Sequence, residues 1–256
     1  MIPGSGGEAP YLERGFGPWA AFVFNWASCF LLKPGSSAII AVAFAKYSIM
    51  TFYGSRLLSG AEQEQLLASF KWPVKGIAIG CILCTALISA LSKNVNRHSQ
   101  LLLTTVKIGS LALVIISGWV AFIKDPTNGK SNLGSPFAGT TWSLAAYASA
   151  INHGLWAYEG WNNLNLVAGD LKRPARNLPL SIWVAVVMVI GLYLFTLMGY
   201  FMALPAEIIK SSETIGVEFG RAVMGTAGAY IMPILISICI FGACLSGMST
   251  SAEVVV

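Results

Sequence analysis

Gly154-Leu155-Trp156-Ala157-Tyr158-Glu159-Gly160-Trp161-Asn162-Asn163-Leu164-Asn165 sets a carboxylate, three asparagines and two glycines in the middle of an apolar segment of membrane length. Hydrocarbon offers no hydrogen bonds, so polar side chains and broken backbone persist at that depth only against protein or a water-filled cavity. Glycines flank the polar centre, which favours a helix broken here over an unbroken amphipathic helix lining a water channel. The carbonyls ending the first half-helix carry the negative pole of its dipole and attract an ammonium. Glu159 adds to that preference for positive charge, unless it serves as a structural ion pair with a basic residue elsewhere.

The surrounding composition sets the depth of this stretch. Of 256 residues, 55% are hydrophobic and 11% charged, and mean hydropathy is +0.69. Soluble domains average about 25% charged residues, so the chain belongs in lipid. One all-α, polytopic transmembrane domain over residues 1–256 is expected. Its spans lie at about 18–50, 73–91, 101–123, 143–168 (broken near 154–162), 180–203 and 227–249. No basic stretch followed by an apolar core and cleavage site opens the chain, so no signal peptide is expected.

The net charge of +5 comes from scattered Lys and Arg. No basic run alternates with aromatics, so nucleic acid is not an expected partner, whereas a lipid bilayer is. Basic residues are almost evenly shared between the two sides, so the positive-inside rule alone does not decide orientation. The shorter, charge-dense loops after the even-numbered spans favour a cytoplasmic N-terminus, in a plasma-membrane protein. Cys29, Cys81, Cys84, Cys239 and Cys244 all fall inside expected spans as apolar packing residues. The two histidines have no Cys or carboxylate at ligand spacing, so neither metal nor cofactor is expected.

Several spans carry a feature of their own. Residues 18–50 as helix would rise about 50 Å against a hydrocarbon core of about 30 Å. With Lys33-Pro34-Gly35 inside, this reads as one tilted, kinked helix. Lys33 either faces a polar interior or snorkels. In the second span Gly76, Gly80, Ala86 and Ser89 suit close packing. In the third, Lys107 either snorkels to the near interface or, desolvated, acts as a proton or cation surrogate. In Asp170-Leu171-Lys172-Arg173-Pro174-Ala175-Arg176-Asn177-Leu178-Pro179 the prolines argue against a continuing helix, and the charges place the stretch at an interface. The small residues Gly242, Ala243, Ser246, Gly247, Ser249 and Thr250 serve tight packing or a hydroxyl-lined ion site.

With these residues in hand, the sequence resembles the amino-acid permeases of the amino acid–polyamine–organocation superfamily, closest to the L-type branch. Ile2-Pro3-Gly4-Ser5-Gly6-Gly7-Glu8 resembles the loop between that family's second and third spans. Lys33-Pro34-Gly35-Ser36-Ser37 resembles the kink of its third, Gly154 to Asn165 its broken sixth, and Arg176-Asn177-Leu178-Pro179 the element before its seventh. The resemblance implies a leucine-transporter-type inverted-repeat fold, of which this chain holds about the third to eighth spans, hence a fragment. It implies that carbonyls of Trp156, Ala157 and Glu159 hold a substrate ammonium and that Trp156 acts as the aromatic gate. It further implies that Asn162 lines the pocket and that Lys107 stands where sodium-coupled relatives hold an ion.

The implied activity is alternating-access transport of neutral or cationic L-amino acids, by exchange or proton-linked symport. Glu159 departs from the branch's Gly or Asp and makes cationic substrates more plausible, while Trp156 is bulkier than the usual Phe. The loop that carries a heavy-chain-linking cysteine in heteromeric relatives has none here. No disulfide-linked heavy chain is expected, which leaves room for a non-covalent partner. Two other classes stand beside it. A non-transporting regulatory isoform accords with the missing first two spans. A membrane-embedded enzyme needs a clustered nucleophile, base or metal, and only His153 and Glu159 lie near each other, so no enzyme is expected.

Overall fold

In a computed structural model, residues 7–53, 67–91, 93–135, 139–158, 160–165, 171, 173–212 and 214–255 are described. Among them the structure is almost entirely helical and no strand occurs. In order come α1 (Ala9–Phe16), α2 (Pro18–Ala27), a π-turn (Ser28–Leu32), α3 (Lys33–Tyr53), α4 (Lys71–Leu91) and α5 (Lys93–Lys124). They are followed by α6 (Thr127–Gly134), α7 (Leu144–Ala157), a 3₁₀ turn (Trp161–Asn165), α8 (Pro174–Ala203), α9 (Ala206–Ser211) and α10 (Ile215–Val255). Five helical stretches are long and apolar enough to cross a membrane: Pro18–Phe52, Lys71–Ala90, Asn94–Lys124, Pro174–Ala203 and Ile215–Ser251.

Two of these stretches show how helix accommodates residues that oppose it. Pro34 lacks an N–H, and its ring would press on the carbonyl of Phe30 in a regular α-helix. The chain widens into the π-turn just before it, so Pro18 to Tyr53 continues as helix with a bulge rather than a break. Pro174 begins α8, where a missing N–H is harmless, and Pro179 falls within the helix. Helix therefore does run through 174–179, contrary to the sequence expectation.

The chain divides into two compact units. The first holds residues 1–33, 136–194 and 250–256, and with them α1, α2, α7 and most of α8. Its outer faces are aromatic: Trp19 and Phe22 stack at 5.9 Å, Trp26 and Phe30 meet at 5.6 Å, and all four are exposed. Lipid tails cover such faces without cost.

The second unit comprises residues 34–135 and 195–249. Ala41, Ala45 and Ile49 on α3 pack with Val74 and Ala78 on α4 and with Val217. Val114, Ala203, Leu204, Phe219 and Met232 form a second cluster. Since lipid is as apolar as leucine, close van der Waals fit and interhelical hydrogen bonds must hold such helices together. Both appear. Helices α5 and α8 cross where Gly118 meets Gly199, so closely that a Cβ on Gly118 would lie 2.5 Å from the Gly199 Cα.

Along α4 the buried face is Val74, Ala78, Cys81 and Thr85, whereas Gly76 and Gly80 have open space beside them and Ala86 is exposed. Of the four small residues expected to pack, Ser89 hydrogen-bonds to a neighbouring helix. The Thr85 hydroxyl lies 3.7 Å from the Cys244 thiol and Ser89 3.0 Å from Ser249, so α4 and the end of α10 run parallel along a polar seam. Asn96 and Gln100 of α5 donate to the same Ser249 hydroxyl at 2.8 and 2.9 Å.

Helix α10 doubles back at Gly225, whose φ of 64° and ψ of −142° suit glycine alone. Gly220 and Gly228 then meet backbone to backbone, and Ile236 packs on Gly216. The helix after this bend, residues 226–251, is by itself long enough to cross a hydrocarbon core of about 30 Å. At the far end of α8, Asn132 caps the carbonyls of Phe201 and Leu204 at 2.7 and 2.8 Å, and Asn128 that of Ala203 at 3.2 Å. These otherwise open carbonyls find donors from α6.

Replacing Gly118 by leucine should lower stability by about 1–3 kcal/mol, because the backbone of α8 cannot yield to a new side chain. Leucine at Gly76, which has open space beside it, should leave the melting temperature in detergent unchanged. Equal melting temperatures for the two variants would contradict the close crossing.

Candidate functional site

The candidate site is built where α7 stops. Its last helical residue is Ala157, and Tyr158 follows with φ −103° and ψ 7°. Tyr158 donates its N–H to the Leu155 carbonyl at 3.1 Å, which tightens the final turn. Carbonyls of a final helical turn have no donor four residues on, and they carry the negative end of the helix dipole. Trp156 and Ala157, both expected to hold an ammonium through their carbonyls, lie in that turn. Glu159 lies outside the described residues. So do the side chains of Ala157 and Asn162, of which only the helical backbone is described.

After the interruption Gly160 adopts φ 105°, a conformation that strains any residue with a Cβ. A Cβ there would also come within 3.3 Å of the Asn163 amide nitrogen. The chain then winds into the 3₁₀ turn, with the Asn163 N–H donating to the Gly160 carbonyl at 3.1 Å. Lys33, at the end of the π-turn and half-buried, donates from Nζ to Asn163 Oδ1 at 3.5 Å. Residues 130 positions apart are thus joined at the interruption, and Lys33 has a polar neighbour rather than only an interface to reach.

Aromatic rings flank the same turn. Trp156 is 45% exposed, and the Tyr158 ring lies 5.8 Å from that of Tyr193 on α8. Asn163 and the Tyr158–Tyr193 pair were not singled out from sequence. Three asparagines within four residues offer no basis for choosing among them, and only the position of Lys33 distinguishes Asn163.

Lys107 belongs to the second unit and lies half-buried on α5. Its carbonyl accepts from the Ser110 hydroxyl at 2.8 Å, and that hydroxyl lies 3.1 Å from the Cys239 thiol of α10. The five cysteines are free thiols. Among the described residues no three His, Cys, Asp or Glu side chains come together as metal ligands.

Residues 1–255 match the profile of a family described as amino acid permease. The chain is 35% identical to the b(0,+)-type amino acid transporter 1 of Homo sapiens over 243 residues, covering 95% of this chain and 47% of the relative. It is 27% identical to the Homo sapiens cystine/glutamate transporter, covering 96% and 46%. It is 29% identical to the large neutral amino acids transporter small subunit 2 of Mus musculus, covering 98% and 45%. The chain therefore spans about half the length of the curated relatives it matches.

Removing the Asn163 side chain should loosen the turn. A hydrogen bond of this kind contributes on the order of 1 kcal/mol, so Asn163→Ala should speed amide exchange over residues 160–165 by up to about tenfold. Exchange in α8 should be unaltered. An equal rise in both segments would mean general unfolding rather than a local tether.

Proposed function

The chain belongs to the amino acid permease family, and from that premise we propose that it forms the central part of a permease that moves L-amino acids across a membrane by alternating access. The interruption between Ala157 and Trp161 carries this reading, in a chain whose other apolar segments continue as helix for 20 residues or more. Within a bilayer, helix is given up only where the freed backbone groups meet protein or a polar cargo.

The relatives are named for different amino acids, so the substrate is read from this chain's own residues. Carbonyls of Trp156, Ala157 and Glu159 hold the α-ammonium, Trp156 closes over the cargo, and Asn162 lines the pocket. The Glu159 carboxylate supports a preference that extends from neutral to cationic amino acids. Lys107 supplies a positive charge in place of a coupling ion, which accords with exchange or proton-linked symport. Lys33, through Asn163, holds the far side of the interruption in position. The protein resides in the plasma membrane with its N-terminus in the cytoplasm, and any heavy-chain partner is held without a disulfide.

In liposomes holding the full-length protein, Trp156→Ala and Glu159→Gln should each cut uptake about tenfold or more, the equivalent of about 1.4 kcal/mol of lost substrate interaction. Unchanged uptake by both variants would sink the site. Labelled leucine competed against arginine measures the preference, and Glu159→Gln should weaken arginine more than leucine. Lys107→Met should abolish the pH dependence of uptake if coupling is to protons; a retained pH profile would remove Lys107 from that role.

A further inference from the structure

Helix α7 of the first unit carries an ionisable side chain that has no part in the site above, His153. Trp142, 92% exposed just ahead of the helix, suits the polar boundary of a bilayer. His153 lies nine residues beyond Leu144, the first residue of α7, or about 14 Å along the helix axis. Against a hydrocarbon core of about 30 Å, that is near the middle. Ionisable side chains at such depth face the bundle interior or a water-filled cavity, and they mark the paths of ions and substrates.

The residue pattern of α7 shows which way the histidine faces. At about 100° per residue, Leu144, Tyr147, Ile151 and Leu155, with Tyr158 just after, fall on a stripe about 80° wide, and all five are exposed. Lipid tails suit that stripe, and α8 meets it through the Tyr158–Tyr193 ring contact. His153 lies about 160° from the middle of the stripe, among the small residues Ala146, Ser149 and Ala150. Trp156 follows three residues later, about 60° round the helix from His153. The imidazole is also held in place, with Nδ1 2.7 Å from the Ser149 carbonyl one turn back. A carbonyl only accepts, so Nδ1 carries the proton and Nε2 keeps the lone pair in the neutral ring. Of the other ionisable groups nearby, Tyr147 and Tyr158 lie on the stripe and Tyr193 meets Tyr158, whereas Lys33 reaches Asn163 beyond the interruption. Glu159 lies six residues further along the chain.

We propose that His153 is a specificity-determining residue, a selector that admits cationic amino acids to the site when its ring is neutral and excludes them when the ring is protonated. The inference rests on the reading of the helix interruption as the substrate site. His153 precedes Trp156 and the open carbonyls by about one helical turn, so a cargo bound for the helix end passes it. Neutral, Nε2 accepts a hydrogen bond from an ammonium or guanidinium; protonated, the ring offers only donors and a like charge. Imidazole ordinarily makes this change between pH 5 and 8. A cargo with an uncharged side chain meets neither the attraction nor the repulsion.

The test measures binding and uptake of labelled arginine and leucine by the full-length protein in liposomes, at about pH 7.5 and about pH 5.5. The apparent affinity for arginine relative to leucine should fall about tenfold on acidification, as a like charge in the approach path requires. His153→Asn should hold the ratio constant across the two conditions, and His153→Lys should hold it low at both. His153→Gln repeats the measurement should His153→Asn fold poorly. In parallel, the native cysteines are replaced and His153→Cys is labelled with a cationic methanethiosulfonate, with Ile151→Cys on the stripe as control. Labelling should be faster at position 153 than at 151, and saturating arginine should slow it. Equal labelling at the two positions overturns the proposal, as does a wild-type ratio that does not change with pH. An acid-induced fall that survives in His153→Asn also overturns it. Binding that keeps the expected pattern without uptake defeats the transport reading alone, uptake with the fall intact in His153→Asn defeats this one alone, and absence of both binding and uptake defeats both.

Discussion

The backbone cannot leave an N–H or carbonyl unpaired in hydrocarbon, and nearly every feature of this chain follows from that constraint. It keeps the long apolar segments helical through residues that would end a helix in water. Pro34 is absorbed by a π-turn, Pro174 by its place at a helix start, and the end of α8 by two asparagines that supply the missing donors. It also makes the gap after Ala157 expensive to maintain. The chain meets part of that expense locally, through the Gly160 turn and the Lys33–Asn163 contact.

A second constraint decides how the helices associate. Apolar burial gains little when the alternative is lipid, so contact quality replaces contact area. The Gly118–Gly199 crossing and the hydroxyl seam from Thr85 to Ser249 are the outcome. Ser249 is the densest point: Asn96 and Gln100 donate to it, and the Leu245 carbonyl accepts from it. Interhelical hydrogen bonds of this kind contribute about 0.6–1.7 kcal/mol each, so a cluster of them can hold the ends of α4, α5 and α10 together.

The sequence announced the class of protein and the position of the interruption, because the relevant signals are local. Hydropathy runs are read residue by residue, and a carboxylate with three asparagines in such a run is conspicuous. It announced far less about contacts, which depend on helix phase. Gly76, Gly80 and Ala86 read as a packing face, yet the neighbouring helices cover Val74, Ala78, Cys81 and Thr85 instead. The prolines of 174–179 misled for a related reason: proline opposes helix continuation but suits helix initiation, and the string alone does not say which end is present. Glu159 and the side chain of Asn162 stay as sequence-based assignments, whereas Asn163 emerged only from the fold.

The π-turn has one more consequence. A turn that contains an extra residue shifts the angular phase of everything after it by about 100° relative to an uninterrupted α-helix. Within the first unit, the direction in which Lys33 leaves the helix is thus set by a single surplus residue. Deleting one residue between Ser28 and Leu32 would let the helix run straight on while turning Lys33 away from Asn163. The tether at the interruption is thus stored in the length of five residues rather than in any one side chain.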